Sequence, residues 1–497
     1  MLGTYFTFPE LLLWLPLVAG IICFFIRKEN AVKNVALLAS LLTLAVSVIS
    51  LCYADPKYSS YNNVNYYWMK YLGNSFYVGL DGTGRILTFL NALAFPIIFI
   101  ATYKNNVKNA SSFFALMLLS QAGMMGVFVA MDALLFYFFW ELALVPVYFL
   151  CSKWGGEKRI QTTFKFFVYT FAGSLLMLIG IIYVYLHTPE RVFEDGTRSL
   201  HSFALSSFYN AHLSAADQNW CFWLFFLAFA IKMPVFPFHT WQPDTYDQSP
   251  APVTMVLSGV MVKMGLFGVI RWLIPVFPVA TVNFTHIVMI LSIIGITYAS
   301  CIALVQDNLK KLVAYSSIAH IGLMCAAIFA MNEVSVQGVL LQMFNHGINI
   351  IGLWIVVDQL EKRTGTKQIS QLGGVAHKAP VLTILLVIIA LANIALPLTN
   401  AFIGEFLMFS GLFHYNNWYA AIAGLSIILA AAYTLNMIQK VFYGDTNAVT
   451  AAMKEISLNE KMVLSFVAVL IFVVGIFPQT LITLTKSAVD YLLLSAK

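Results

Sequence analysis

The chain has 497 residues, of which 60% are hydrophobic, 15% aromatic and only 10% charged, with a net charge of +6. Soluble globular proteins carry about 25% charged residues, so this composition excludes a soluble enzyme or nucleic-acid-binding domain and leaves a membrane protein. In that setting an excess of Lys and Arg belongs to the loops facing the cytoplasm and not to a nucleic-acid partner.

Apolar runs long enough to cross a bilayer, about 20 residues each, recur along nearly the whole chain. The first, at 11–26, has no basic segment before it and reads as a retained helix, not a cleaved signal. Runs at 33–53, 84–103, 113–130, 132–151 and 165–186 follow. The seventh, at 219–247, is interrupted: "AIKMPVFPFHTW" contains Pro234 and Pro237, and proline removes an amide donor from the helical ladder. Unbroken runs at 252–277, 283–305, 312–331 and 334–360 lead to the twelfth, at 379–411, where Pro397 interrupts "NIALPLTNAFIGEF". Runs at 418–441 and 461–484 complete fourteen expected helices. Irregular backbone at membrane depth is tolerated only inside protein or beside water. The two broken helices are therefore candidates for lining a polar path.

The expected architecture is an all-α polytopic membrane bundle. If the helices alternate in direction, Lys and Arg concentrate in the loops after odd-numbered helices (Arg27, Lys28, Lys104, Lys158, Arg159, Lys310, Lys311 and others), which places both termini on the non-cytoplasmic side. The broken helices lie five apart. This suggests two five-helix repeats, helices 4–8 and 9–13, and an odd number of helices forces the second to insert inverted. The expected divisions are 1–110 for helices 1–3, 111–280 and 281–445 for the two repeats, and 446–497 for helix 14.

Six ionisable residues interrupt the apolar runs: Glu141 in helix 5, Lys232 in helix 7, Lys263 in helix 8, His320 in helix 10, His346 in helix 11 and Glu405 in helix 12. Each of the first five lies near the middle of its run, roughly 15 Å from either surface at 1.5 Å rise per residue, and Glu405 follows the break in its own. A charge at that depth costs roughly 2.5–3.5 kcal/mol on insertion scales and marks function by default. Six such groups at similar depth form a row parallel to the membrane, which suits lateral proton transfer with access to water along it. A low-dielectric interior favours the neutral form of acid and base alike, so Glu, Lys and His so placed exchange protons near physiological pH. The simpler readings are a static Glu141–Lys232 ion pair, histidines bonded to nearby carbonyls, and Glu405 capping a half-helix. Arg271, near a helix end, reads as snorkelling to the surface. Lys310 and Lys311 read as topology signals, and His239, Trp241 and Asp244 as serving the turn after the broken helix. The six cysteines are scattered, with no C-x-x-C, and no P-loop is present, so this chain is expected to bind no iron–sulfur cluster, haem or ATP.

At these residues the sequence resembles the antiporter-like, proton-translocating membrane subunits of respiratory complex I. The resemblance rests on "FYFFWELALVPVYFL", "FAIKMPVFPFHTWQPDTYDQSPAPVTMVLSGVMVKMGLFGVIRW", "KKLVAYSSIAHIG", "QMFNHGINIIGLW" and "FIGEF", in that order from helix 5 to helix 12. It implies that Glu141 and Lys232 form a pair in the first repeat, that Lys263 joins the repeats, that His320 and His346 continue the axis, and that Glu405 ends it. Relatives usually carry lysine at that last place, so Glu405 marks a subtype. Two departures stand out. Gln242, Thr245 and Tyr246 replace the usual Leu, Ala and His, and the common glycine before Pro397 and the Ser-Gly after it are missing. The resemblance further implies a translocase subunit of an NADH:quinone oxidoreductase in a bacterial inner membrane, without a redox cofactor of its own. NADH, FMN, iron–sulfur clusters and quinone would be held by partner subunits, and the neighbours would be other antiporter-like membrane subunits. The alternative is a subunit of a multisubunit Na⁺/H⁺ antiporter, against which Glu405 and the lack of other carboxylate clusters argue. A passive scaffold would not need six buried ionisable groups.

Overall fold

The computed structural model describes residues 6–192, 196 and 198–495, so residues 1–5 and 496–497 of the two terminal divisions lie outside the described residues. In chain order the long helices are α1 (Phe8–Phe25), α2 (Glu29–Cys52), α3 (Gly82–Ala101), α4 (Ala110–Val129), α5 (Ala133–Trp154) and α6 (Arg159–Tyr185). The seventh, α7, is broken into Ala215–Lys232 and Gln242–Gln248. Then come α8 (Ala251–Leu273), α9 (Pro278–Leu304), α10 (Leu309–Phe329) and α11 (Glu333–Thr364). The twelfth, α12, is broken into Pro380–Asn393 and Asn400–Tyr415, and α13 (Asn417–Phe442), α14 (Leu458–Ile476) and α15 (Gln479–Ser495) close the chain. Twelve of these are continuous, long and apolar enough to cross a membrane; α7 and α12 are the interrupted spans expected from their prolines.

Helix α8 and the apolar span of α11 are enclosed, whereas α2, α13 and α14 turn most of their surface outward. Helix α11 runs through the centre, packed against α3, α8, α10, both halves of α12, α14 and α15. Close approach of α8 and α11 depends on a glycine from each: a Cβ on Gly347 would stand 2.9 Å from the Gly259 carbonyl oxygen, and one on Gly259 would meet Ile351 at 2.7 Å.

Both breaks are finished by side chains. Past the α7 break, the Trp241 indole donates to the Ile231 carbonyl at 2.9 Å, satisfying an acceptor that the interrupted ladder leaves open. At the α12 break Ala395 and Leu398 flank Leu396 and Pro397 with φ of +57° and +74°. Non-glycine residues enter this left-handed region at a cost of about 1–2 kcal/mol each. The missing glycines thus leave the turn in place but strained. Asn345 of α11 donates to the Asn400 carbonyl at 2.7 Å, and Asn349 and Asn400 exchange amide hydrogen bonds at 3.0 Å.

Three expectations are revised. The fourteenth run stops at Ile476 and not at 484, because Pro478 ends the helix and α15 starts a separate, more polar one. Between α2 and α3 lies an antiparallel hairpin, β1 (Asn63–Met69) and β2 (Asn74–Gly79), which the search for apolar runs passed over. Arg271 does not snorkel. It is 4% exposed, ion-paired with Asp81 at the N-terminal cap of α3, and donates to the Phe128 carbonyl at 3.3 Å.

Candidate functional site

Four of the six expected site residues come together in one row. Lys263 lies two residues past a π-helical stretch, Leu257–Met261, in which pairing shifts to i→i+5. That local winding leaves the Ser258 carbonyl to accept a hydrogen bond from Lys263 Nζ at 2.7 Å. Across the α8–α11 contact, Nζ also meets His346 Nδ1 at 2.8 Å. With the ammonium as donor, Nδ1 is the acceptor, and the proton of a neutral ring is on Nε2. The His346 and His320 ring centroids are 5.5 Å apart. His320 Nδ1 then lies 3.1 Å from Glu405 Oε1, which also accepts from Gln342 Nε2 at 3.2 Å. Lysine, two imidazoles and a carboxylate are thereby connected through α8, α11, α10 and the second half of α12, all buried. The Nε2 atoms of both histidines have no hydrogen-bond partner within the chain, so each ring keeps one nitrogen available for a second proton contact. A cavity of about 10 Å³ beside His320, Glu405 and Tyr433 has room for about one water molecule.

The other two residues are arranged differently. Lys232 is the last residue of the first half of α7, buried just before the break, with Nζ 5.4 Å from the centre of the Trp140 ring. Glu141, one residue on from Trp140, is half-buried and borders Ser174 of α6. The expected Glu141–Lys232 pair is not closed: no ion pair links them among the described residues, and neither Glu141 Oε1 nor Lys232 Nζ has a hydrogen-bond partner. The row is bonded from Lys263 to His346 and from His320 to Glu405, with the two rings adjacent but not hydrogen-bonded to each other, and it is open from Glu141 to Lys232.

Sequence reasoning missed Gln342, Ser258 and Trp140. Gln342 precedes His346 by four residues and so shares its helix face, a signal that was available. Ser258 precedes Lys263 by five, a spacing that brings groups together only in the π-helical geometry. Trp140 was readable as the neighbour of Glu141 but not as the face that receives Lys232.

Residues 130–430 match the family described as NADH:quinone oxidoreductase/Mrp antiporter, transmembrane. The chain is 35% identical to NADH-quinone oxidoreductase subunit M of Rickettsia prowazekii (strain Madrid E), over 97% of this chain and 98% of that one. Among solved structures it is similar to a chain of respiratory complex I from Thermus thermophilus with bound NADH, at 26% identity and a TM-score of 0.87, covering 97% of this chain and 99% of that one. A chain of the Mrp complex from a Dietzia species, 16% identical, has the same fold at a TM-score of 0.85, over 98% of this chain and 97% of that one.

Proposed function

The chain belongs to the NADH:quinone oxidoreductase/Mrp antiporter transmembrane family, and from that premise we propose that it is a proton-translocating membrane subunit of an NADH:quinone oxidoreductase. The row from Lys263 through His346 and His320 to Glu405, bonded at its two ends with the imidazole centroids 5.5 Å apart between them, carries this reading. Each member can hold or release one proton, and each is next to a group that can take it. The family includes Mrp antiporters as well, but subunit M relatives matching end to end at 35% identity, against 16% for the Mrp chain, favour this function over Na⁺/H⁺ exchange.

In the proposed cycle, residues 111–280 and 281–445 are the two inverted halves, and Lys263 is their joint. Closing Glu141 onto Lys232 holds a proton as the ammonium; opening the pair, as in the present arrangement, takes away the balancing charge and frees the proton to move towards Lys263. From there it passes along the imidazoles to Glu405. Moving one charge against about 150 mV costs roughly 3.5 kcal/mol, and breaking one buried pair by removing a partner costs about 3–5 kcal/mol. The two are of the same size, so one switching pair suffices to drive one proton. The redox chemistry (NADH, FMN, iron–sulfur clusters and quinone) belongs to partner subunits. Neighbouring antiporter-like subunits would adjoin this chain in a bacterial inner membrane, with both termini on the non-cytoplasmic side.

The switch predicts an order. Glu141→Gln keeps nearly the same volume and can still hydrogen-bond, but removes the charge that Lys232 needs. Glu141→Asp keeps the charge and withdraws it by one methylene, which the flexible lysine partly follows. Proton pumping in proteoliposomes should therefore fall from wild type to Asp and reach near background in Gln, with assembly on blue-native gels unchanged. A Gln variant pumping like wild type would reduce Glu141 to a packing residue.

A further inference from the structure

Helix α8 carries two charges, Lys263 and Arg271, and the proposed cycle uses only the first. The helix starts at Ala251, beside a crevice where Lys310, Lys311, Lys362 and Lys367 cluster, and ends on the opposite side of the bundle. Lys263, Phe267 and Arg271 follow at four-residue spacing and share a face. At the far end a pocket of about 350 Å³ opens between α3, α8 and α15, lined by Asp81, Tyr209, Arg271 and Tyr491 among others. Along α8 only eight residues, about 12 Å, separate Arg271 in the wall of this pocket from Lys263. That is a short way out for a proton.

A cation seated on aromatic rings fills the interval. The buried Arg271 guanidinium is ion-paired with Asp81, which is itself exposed. It lies 4.5 Å from the centre of the Phe267 ring, and Phe267 meets Phe128 edge-on at 5.4 Å. Both rings are completely buried. Bonds from the guanidinium to the Phe128 carbonyl and from the Tyr209 hydroxyl to the Arg271 carbonyl, at 3.3 and 2.9 Å, fix the residue from two further sides. This plug opposes protons in two ways. A guanidinium stays protonated in proteins and has no acceptor, so it can neither take a proton nor pass one on. Its fixed positive charge also repels an approaching proton, as arginine does in pores that exclude them. A charge at such depth is expensive, and neutral side chains would clamp α3, α4 and α8 together at less cost.

We propose that Arg271, anchored by Asp81 and seated on Phe267 and Phe128, is a proton seal. It closes the short way between Lys263 and the non-cytoplasmic surface, so that protons on that side do not run back to Lys263 and a proton held there goes on to His346. Arg271 carries no proton itself. This rests on the proton-translocating function proposed above.

The test uses the assembled complex in proteoliposomes and follows the decay of an imposed pH gradient without NADH, then protons moved per NADH oxidised. The main variant combines Arg271→Met with Asp81→Asn. It removes both charges together, so neither is stranded, and asparagine caps α3 as well as aspartate does. The gradient is expected to decay several-fold faster than in wild type, and protons per NADH to fall while NADH oxidation is not slowed. Asp81→Asn alone, which keeps the guanidinium, should hold the gradient. Adding Lys263→Ala to the main variant should restore slow decay, because the leak has to pass through Lys263. Should the main variant not assemble, Arg271→Gln, whose amide still reaches the Phe128 carbonyl, gives the same reading. A leak that persists without Lys263 comes from loosened packing and overturns the seal. Wild-type decay in the main variant beside a Lys263→Ala that does not pump also overturns the seal and leaves the function standing. Wild-type pumping by Lys263→Ala overturns the function, and the seal with it.

Discussion

Lys263→Ala is expected to leave the chain inserted and the complex assembled, with proton pumping near background. The side chain is completely buried and its ammonium has two partners, the Ser258 carbonyl at 2.7 Å and His346 Nδ1 at 2.8 Å. Removing it deletes those two hydrogen bonds, each worth about 1.5–3 kcal/mol when a charge is involved. It also removes a charge whose transfer from water is itself expensive, so the net cost to folding is modest. The functional loss is not offset in this way. Lys263 is the member on α8 that reaches the α11 histidine, and alanine removes that titratable partner of His346. Lys263→Met, which keeps most of the volume, should be equally silent and separates lost charge from lost packing. Blue-native gels together with acidification of proteoliposomes measure both consequences.

Glu405 should tolerate a change of sign but not the loss of its titratable group. Glu405→Ala removes the acceptor facing His320 Nδ1 at 3.1 Å and should bring pumping near background. Glu405→Lys should keep part of it, because an amine also stores a proton there. Gln342 can serve either residue: its Nε2 donates to the present carboxylate at 3.2 Å, and its Oε1, unpartnered now, can accept from an ammonium if the amide turns over. Comparison of the two variants in the same pumping assay decides the matter, and wild-type activity in the alanine variant would move the end of the line elsewhere.

The hydrophobic spans and the six ionisable residues were legible because the bilayer leaves a strong imprint: long apolar runs, proline at the breaks, and isolated charges that cost too much to be incidental. Contacts between helices were not. Nothing in "VKMG" or "FNHG" says that Lys263 touches His346; the contact needs Gly259 facing Gly347 and a π-helical turn, neither of which alters the apolar pattern. Depth was read correctly for Arg271, near the end of α8, but its partner Asp81 lies on a distant loop, so the buried ion pair was mistaken for a surface cation. The β1–β2 hairpin carried its own signal, an aromatic-rich stretch with Gly73 and Asn74 at the turn, which a search for apolar runs does not weigh. The strain at Ala395 and Leu398 was half-visible: the sequence shows that the usual glycine is absent, but only the backbone shows that the left-handed turn is kept without it.

The central claim is that protons travel along the row by titration of its members, and His320 tests this most directly because its neighbours can be left untouched. In His320→Gln an amide can still hydrogen-bond Glu405 but cannot carry a proton through a ring. The measurement is the number of protons translocated per NADH oxidised by the assembled complex in proteoliposomes. The account predicts a clear drop in that ratio with Lys263, His346 and Glu405 all in place. A ratio equal to that of the wild type would contradict it.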